Sequence, residues 1–294
     1  MNSAYNRNAS NTQSIPGPLG YIMGRALLPQ IVFAILIATA LYILFMSFEI
    51  LYKSFNQIKG TRVPVLPVTV SSQNKQREII QNPNAPYSKL LPMSDNERTG
   101  AEFTYGFFLW VNPSSFGQQQ GLLHIMHKGY PEPYPLLGPG VFLKNNANVL
   151  RVYMNSTRTW NNYVDVENIP VKKWVHVCIV ARNNAVEVYI NGNLAKKLNL
   201  EGATFYQNFG NLYLFSERKV SINPVATPSV GQELLQINGT YSGMFSNLYY
   251  FSYALSYTEI LSLVSMGPSK ESETDDMDKP PYLEDSWWVS NYSQ

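Results

Sequence analysis

Asp165 and Glu167 stand two apart in Tyr163-Val-Asp-Val-Glu167. Residues at i and i+2 of a β-strand share a face, so these two carboxyls can work as a pair. Retaining glycoside hydrolysis asks for such a pair about 5 to 5.5 Å apart, one as nucleophile and one as proton donor. Asp165, with Asn161 or Asn162, can equally supply the oxygens of a calcium site. Just upstream, Arg158-Thr-Trp160-Asn161-Asn162 sets an aromatic platform beside amides, a combination suited to stacking a sugar ring. The stretch Gly129-Tyr130-Pro-Glu-Pro-Tyr134-Pro-Leu-Leu-Gly-Pro-Gly140 reads as a long aromatic loop. Its prolines lower the entropy of ordering it and favour a preorganised contact surface. Tyr282 with Trp287 and Trp288, behind the acidic run from Glu271 to Asp278, forms a tail able to fold onto a protein partner.

Other chemistries are excluded by what is missing. His124 and His127 are three apart, which directs them to opposite faces of a strand, and neither has a cysteine or acid beside it to complete a zinc site. His176 reads as a packed core histidine. The single cysteine, Cys178, excludes an intrachain disulfide and every cysteine-based zinc or redox motif. No glycine-rich phosphate loop or serine nucleophile elbow occurs. A net charge of +2 provides no field for nucleic acid. Glycosylation sequons begin at Asn8, Asn155, Asn238 and Asn291 and do not settle the compartment.

These side chains need a scaffold, and the sequence divides into five parts. Residues 1–25 are polar. Residues 26–52 contain Ile31-Val-Phe-Ala-Ile-Leu-Ile-Ala-Thr-Ala-Leu-Tyr-Ile-Leu-Phe-Met-Ser-Phe48, without charge, Pro or Gly, which predicts a transmembrane helix bound to membrane lipid. Bulky Phe, Glu and Tyr follow the run, against a cleaved signal peptide. Lys53, Lys59 and Arg62 outnumber Arg25 and Arg7, a lean towards a cytosolic C-terminal domain that leaves topology open. Residues 53–86 read as a stalk, because the prolines of Val63-Pro-Val-Leu-Pro-Val-Thr-Val70 rule out a central strand. Residues 87–268 alternate strand patterns with turns, and residues 269–294 form the tail.

Aromatics reach 13% of the chain, which suits pleated surfaces. Phe103, Tyr105, Phe107, Leu109 and Val111 alternate on one strand face, while Trp174 to Ala181 is apolar on both faces, as a central strand requires. Asn183-Asn184 and Asn191-Gly192 bracket Val186 to Ile190, and Asn-Gly predicts a type I′ hairpin. Ser256-Tyr-Thr-Glu259 is a capping box, with Leu255 stapled to Ile260, for a helix ending at Gly267-Pro268.

The strand Phe103-Thr-Tyr-Gly-Phe-Phe-Leu-Trp110-Val-Asn, the hairpin Trp174-Val-His-Val … Val186-Glu-Val-Tyr-Ile-Asn-Gly-Asn-Leu194 and the closing Gly243-Met-Phe-Ser-Asn-Leu … Ala254-Leu-Ser-Tyr-Thr-Glu-Ile260 resemble, in that order, the concanavalin A-like, laminin G-like jelly-roll superfamily. The resemblance spans about Tyr87 to Pro268. It implies a mainly β, two-sheet antiparallel sandwich behind one transmembrane helix. Hydrolases of that family carry Glu-x-Asp-x-Glu on one strand, whereas Tyr163 stands here in place of the first glutamate, so no catalytic residue is assigned. Related laminin-type modules hold calcium on a rim, where Asp165 and Asn161 would serve. Ser88-Lys-Leu-Leu-Pro92 and Ala101-Glu-Phe-Thr104 behind an anchor are also similar to jelly-roll membrane proteins of large DNA viruses. The resulting expectation is a non-enzymatic, membrane-anchored binding or structural module. Its partner would be a protein layer such as a capsid or scaffold, reached from a virion inner membrane, or alternatively a glycan.

Overall fold

The computed structural model describes residues 27–55, 62–73, 76–94, 101–182, 184–200, 202–222 and 235–273. It divides into two units, Met1–Gln57 and Ile58–Gln294. The first contains helix α1 (Leu27–Phe55). Within it Gln30–Leu51, 22 residues, is long and apolar enough to cross a membrane or serve as a signal sequence, and is unique in this among the described residues. At about 1.5 Å per residue it is roughly 33 Å long, matching a hydrocarbon core of about 30 Å. Its side chains from Ile31 to Leu51 are exposed.

The second unit is a β-sandwich. Its strands are β1 (Arg62–Ser71), β2 (Arg77–Ile79), β3 (Glu102–Val111), β4 (Leu122–Gly129), β5 (Leu137–Lys144), β6 (Val149–Met154) and β7 (Asn162–Glu167). They continue as β8 (Trp174–Arg182), β9 (Ala185–Ile190), β10 (Asn193–Asn199), β11 (Asn211–Leu214), β12 (Lys219–Ile222), β13 (Leu235–Thr240) and β14 (Gly243–Phe251), followed by helix α2 (Tyr257–Met266). One sheet has the order β1-β14-β3-β8-β9-β10. The other runs β12-β13-β4-β5-β6-β7, with β11 and β2 added beside β4. Strand pairing is antiparallel except between β13 and β4. The sandwich expected from the sequence is the fold observed.

Period-2 alternation builds the core. Phe103, Tyr105, Phe107, Leu109 and Val111 of β3 are buried and face Val141, Leu143, Leu150, Val152 and Val164 from the second sheet. In β8, Val175, Val177, Ile179 and Ala181 join that core, while Cys178 and Val180 point outward under α2, where Leu255, Ile260 and Leu263 cover them. Asn191 and Gly192 both have positive φ, at 49° and 84°, as a type I′ turn demands. Helix α2 carries the capping box between Ser256 and Glu259.

Two boundaries differ from the sequence reading. The stalk assigned to residues 53–86 is interrupted by β1, which pairs with β14 and buries Val65, Val68 and Val70. Pro64 and Pro67 are tolerated because β1 is an edge strand, and register shifts fall around them. The aromatic loop Gly129–Gly140 is shorter than expected. Residues 137–140 belong to β5, leaving 130–136 as loop.

Candidate functional site

Strands β6 and β7 form a hairpin whose register sets Arg151 opposite Asp165 and Tyr153 opposite Tyr163. Their inward side chains fill the core, so these four point to the outer face of the second sheet. Arg151 donates from Nε to Asp165 Oδ1 at 2.7 Å and from Nη2 to Oδ2 at 2.8 Å. Lys144 Nζ, at the end of β5, lies 2.8 Å from the same Oδ2. The guanidinium also covers the Tyr163 ring at 3.8 Å. Burial works against both charges, but the paired hydrogen bonds outweigh it, holding the Asp165 carboxyl below the usual range and raising Arg151 above its own.

Beside this ion cluster opens a cleft of about 230 Å³ lined by Gln120, Leu122, Lys144, Asn146, Arg151 and Gln236. Its polar atoms are amides and cations on strand ends, held by the sheet beneath. Glu167 is exposed at the far end of β7. Both Asp165 oxygens face cations, which leaves Glu167 as the exposed carboxyl of the Asp165–Glu167 pair. A calcium ion at Asp165 would likewise have to displace two positive charges. Among the described residues no group of three or more His, Cys, Asp or Glu side chains is placed to hold a metal.

The other residues singled out from the sequence fall in three places. Trp160 meets Tyr134 edge to face, centroids 4.9 Å apart. Both are half-buried against the outer apolar cluster of Leu122, Leu137, Phe142 and Tyr153. Asn161 is half-buried in the β6–β7 turn. Asn162 is buried and staples that turn: its Nδ2 donates to Ser156 Oγ at 3.0 Å and Thr159 O at 2.9 Å, and its Oδ1 accepts from Thr159 Oγ1 at 2.8 Å. It is therefore a turn clamp and offers no amide to a ligand. Tyr130 is exposed and stands apart, next to the loop containing Tyr206. Tyr282, Trp287 and Trp288 lie outside the described residues.

Arg151, Lys144, Gln120, Asn146 and Gln236 escaped the sequence reading. The available signal was a lone arginine in an otherwise apolar strand, Val149-Leu-Arg-Val-Tyr-Met154, which demands an acidic partner one strand away.

The histidine pair requires correction. His124 and His127 share a face, with His124 Nε2 and His127 Nδ1 2.7 Å apart. A bulge in β4 between His124 and Met126 turns Ile125 and Met126 both into the core, so the side-chain parity reverses. His127 Nε2 lies 2.7 Å from Tyr130 O, and its ring stacks on Tyr213. His176 is buried under α2 beside Phe108, as expected of a core histidine.

The family model of the concanavalin A-like lectin/glucanases superfamily matches residues 87–261. The chain belongs to this superfamily. The matched range opens after β1 and β2. No match is found among curated proteins. Among solved structures, the receptor binding domain of botulinum neurotoxin D is 14% identical, with 67% of this chain and 43% of that one covered at a TM-score of 0.45. The serotype D ligand binding domain in complex with N-acetylneuraminic acid is 11% identical, with 59% and 38% covered at 0.41. Trypanosoma rangeli sialidase is 15% identical, with 55% and 22% covered at 0.36. The chain spans less than half the length of each, and similarity at this level carries no argument about use.

Proposed function

We propose that this concanavalin A-like chain is a non-enzymatic binding module, held at a membrane by α1, that takes a carbohydrate in the cleft beside Lys144 and Arg151. The observation that carries this reading is the Lys144–Asp165–Arg151 cluster. It engages one of the two carboxylates a retaining pair would use and fixes two cationic donors at the edge of a small polar cleft. Gln120, Asn146 and Gln236 add amides able both to donate and to accept, the combination that matches vicinal hydroxyls. Tyr163, its ring covered by Arg151, supplies an apolar surface next to that guanidinium.

The test is a glycan array probed with the detergent-solubilised full chain and with Asn146→Ala/Gln236→Ala, two cleft residues outside the core. The expected result is selective binding to a glycan subset, weakened at least about tenfold in the double variant. Binding to no glycan would sink the carbohydrate assignment. Hydrolysis of an aryl glycoside that Glu167→Gln abolishes would sink the non-enzymatic one. Cross-linking from the native membrane that recovers a capsid-like protein layer through residues 282–288, without glycan binding, would return the chain to a scaffold role.

A further inference from the structure

The loop end of the sandwich carries large apolar side chains that the fold holds out into solvent. Phe209 is 80% exposed, Tyr130 54% and Tyr206 38%. Phe209 does not sit on a slack loop. The buried Lys128 Nζ donates to Asn208 O at 2.5 Å and to Gly210 O at 2.8 Å. Asn208 Nδ2 returns a hydrogen bond to Lys128 O at 3.0 Å, and Gly210 N–H donates to Asn208 Oδ1 at 2.9 Å. The backbone on both sides of Phe209 is thus pinned to β4. The approach is so close that a Cβ on Gly210 would lie 2.3 Å from Gly129 O. A rigid loop that spends a buried ammonium on presenting a phenyl ring is an exposed apolar feature that calls for a partner.

The strand connections locate this loop end. Gln207 Nε2 donates to Tyr250 Oη at 2.6 Å, and Tyr250 is the register partner of Val63. The same Tyr250 Oη donates to Pro92 O at 2.6 Å. Tyr130 follows Gly129, which pairs with Asn211. The aromatic tips therefore stand at the end of the sandwich where the chain enters β1 at Arg62. Along the sequence, α1 ends at Phe55, seven residues before β1 opens at Arg62. Arg62 and Arg158, both exposed, add positive charge at this end.

We propose that Tyr130, Tyr206 and Phe209 seat this end of the sandwich on the lipid bilayer that α1 spans. Tyrosine and phenylalanine favour the headgroup–acyl boundary, where the ring leaves water and the tyrosine hydroxyl stays hydrated. Arginine matches lipid phosphates beside them. The inference rests on α1 as the membrane anchor and is independent of the cleft's ligand.

The experiment uses the full chain in phosphatidylcholine–phosphatidylserine vesicles. Cys178 is completely buried, so one added cysteine labels selectively. A fluorophore on Phe209→Cys is read against one on Gln118→Cys, in the exposed loop between β3 and β4, using headgroup-proximal spin-labelled lipid as quencher. A third label on Ala40→Cys, with a mid-bilayer quencher, reports on α1 alone. We expect quenching at 209 at least about threefold stronger than at 118, reduced by Tyr130→Ser/Tyr206→Ser. Equal, weak quenching at 209 and 118 with position 40 quenched would overturn the seating and leave the anchor standing. An unquenched position 40 would overturn both.

Discussion

His124 Nε2 lies 2.7 Å from His127 Nδ1 in a hydrogen-bond chain that has room for no further proton. Ser216 N–H donates to His124 Nδ1 at 2.9 Å, so the His124 proton sits on Nε2 and points at His127. His127 then carries its own proton on Nε2, directed at Tyr130 O, 2.7 Å away. Protonating either ring sets N–H against N–H. Tyr213 stacks on His127, and Arg218 and Glu132 act on it with opposite sign.

Burial pushes His124 well below its ordinary 6.5, and His127 and His176 down to about 4. Between 6.5 and 4 the unfolded chain binds protons that the folded one refuses. Stability is full above 6.5 and falls as pH drops towards 4. Urea unfolding should therefore show a loss on the order of 2 to 3 kcal/mol each from His127 and His176 between pH 7 and 4.5, with His124 acting in the same direction. His127→Gln, which still accepts from His124 and donates to Tyr130, should remove about one ring's share. An unchanged pH slope in that variant would refute the coupling.

Asp165→Asn should leave Arg151, 5% exposed at its side chain, with half its compensation. The expected cost is about 2 to 3 kcal/mol at neutral pH by urea unfolding. Glu167→Gln, on the exposed end of β7, should stay within about 0.5 kcal/mol. Because cations already occupy the Asp165 oxygens, chelator should not move the melting temperature.

Lys128→Met strips the donor from two backbone carbonyls, Asn208 O and Gly210 O. A loss of about 1 to 3 kcal/mol is expected, with faster amide exchange at Gly210. Gly210→Ala meets backbone that cannot move aside and should cost more than about 2 kcal/mol. Equal exchange at Gly210 in wild type and Lys128→Met would remove the pinning role.

Asn155 begins a sequon but is buried, donating from Nδ2 to Pro135 O at 3.0 Å and Trp160 O at 2.9 Å while accepting from Leu137 N–H. In a glycosylating compartment it should remain unmodified in the folded chain. Asn238 is partly exposed on β13 and is the sequon to use as a topology reporter. Occupancy at Asn155 by glycopeptide mass spectrometry would mean modification before folding.

The sequence by itself determined what depends on neighbours along the chain. Alternation in Phe103–Val111, the Asn191-Gly192 turn and the Ser256–Glu259 capping box are local consequences of side-chain period and backbone stereochemistry, and each appears where the residues put it. So does the apolar run of α1. What only the tertiary structure decided is which residues meet. Val63–Val70 reads as a proline-broken stalk until β14 offers it an edge. One inserted residue beside Ile125 reverses side-chain parity and brings His124 to His127, and a bulge is defined only by the strand opposite. Arg151 and Asp165 are fourteen residues apart and become partners through hairpin register alone. The loop at Phe209 is held by Lys128, eighty residues earlier. Local pattern specifies the elements because each element makes its own hydrogen-bonding and burial choice. The site is specified by pairing between elements, and a residue's partners across a sheet are set by register, which no single strand contains.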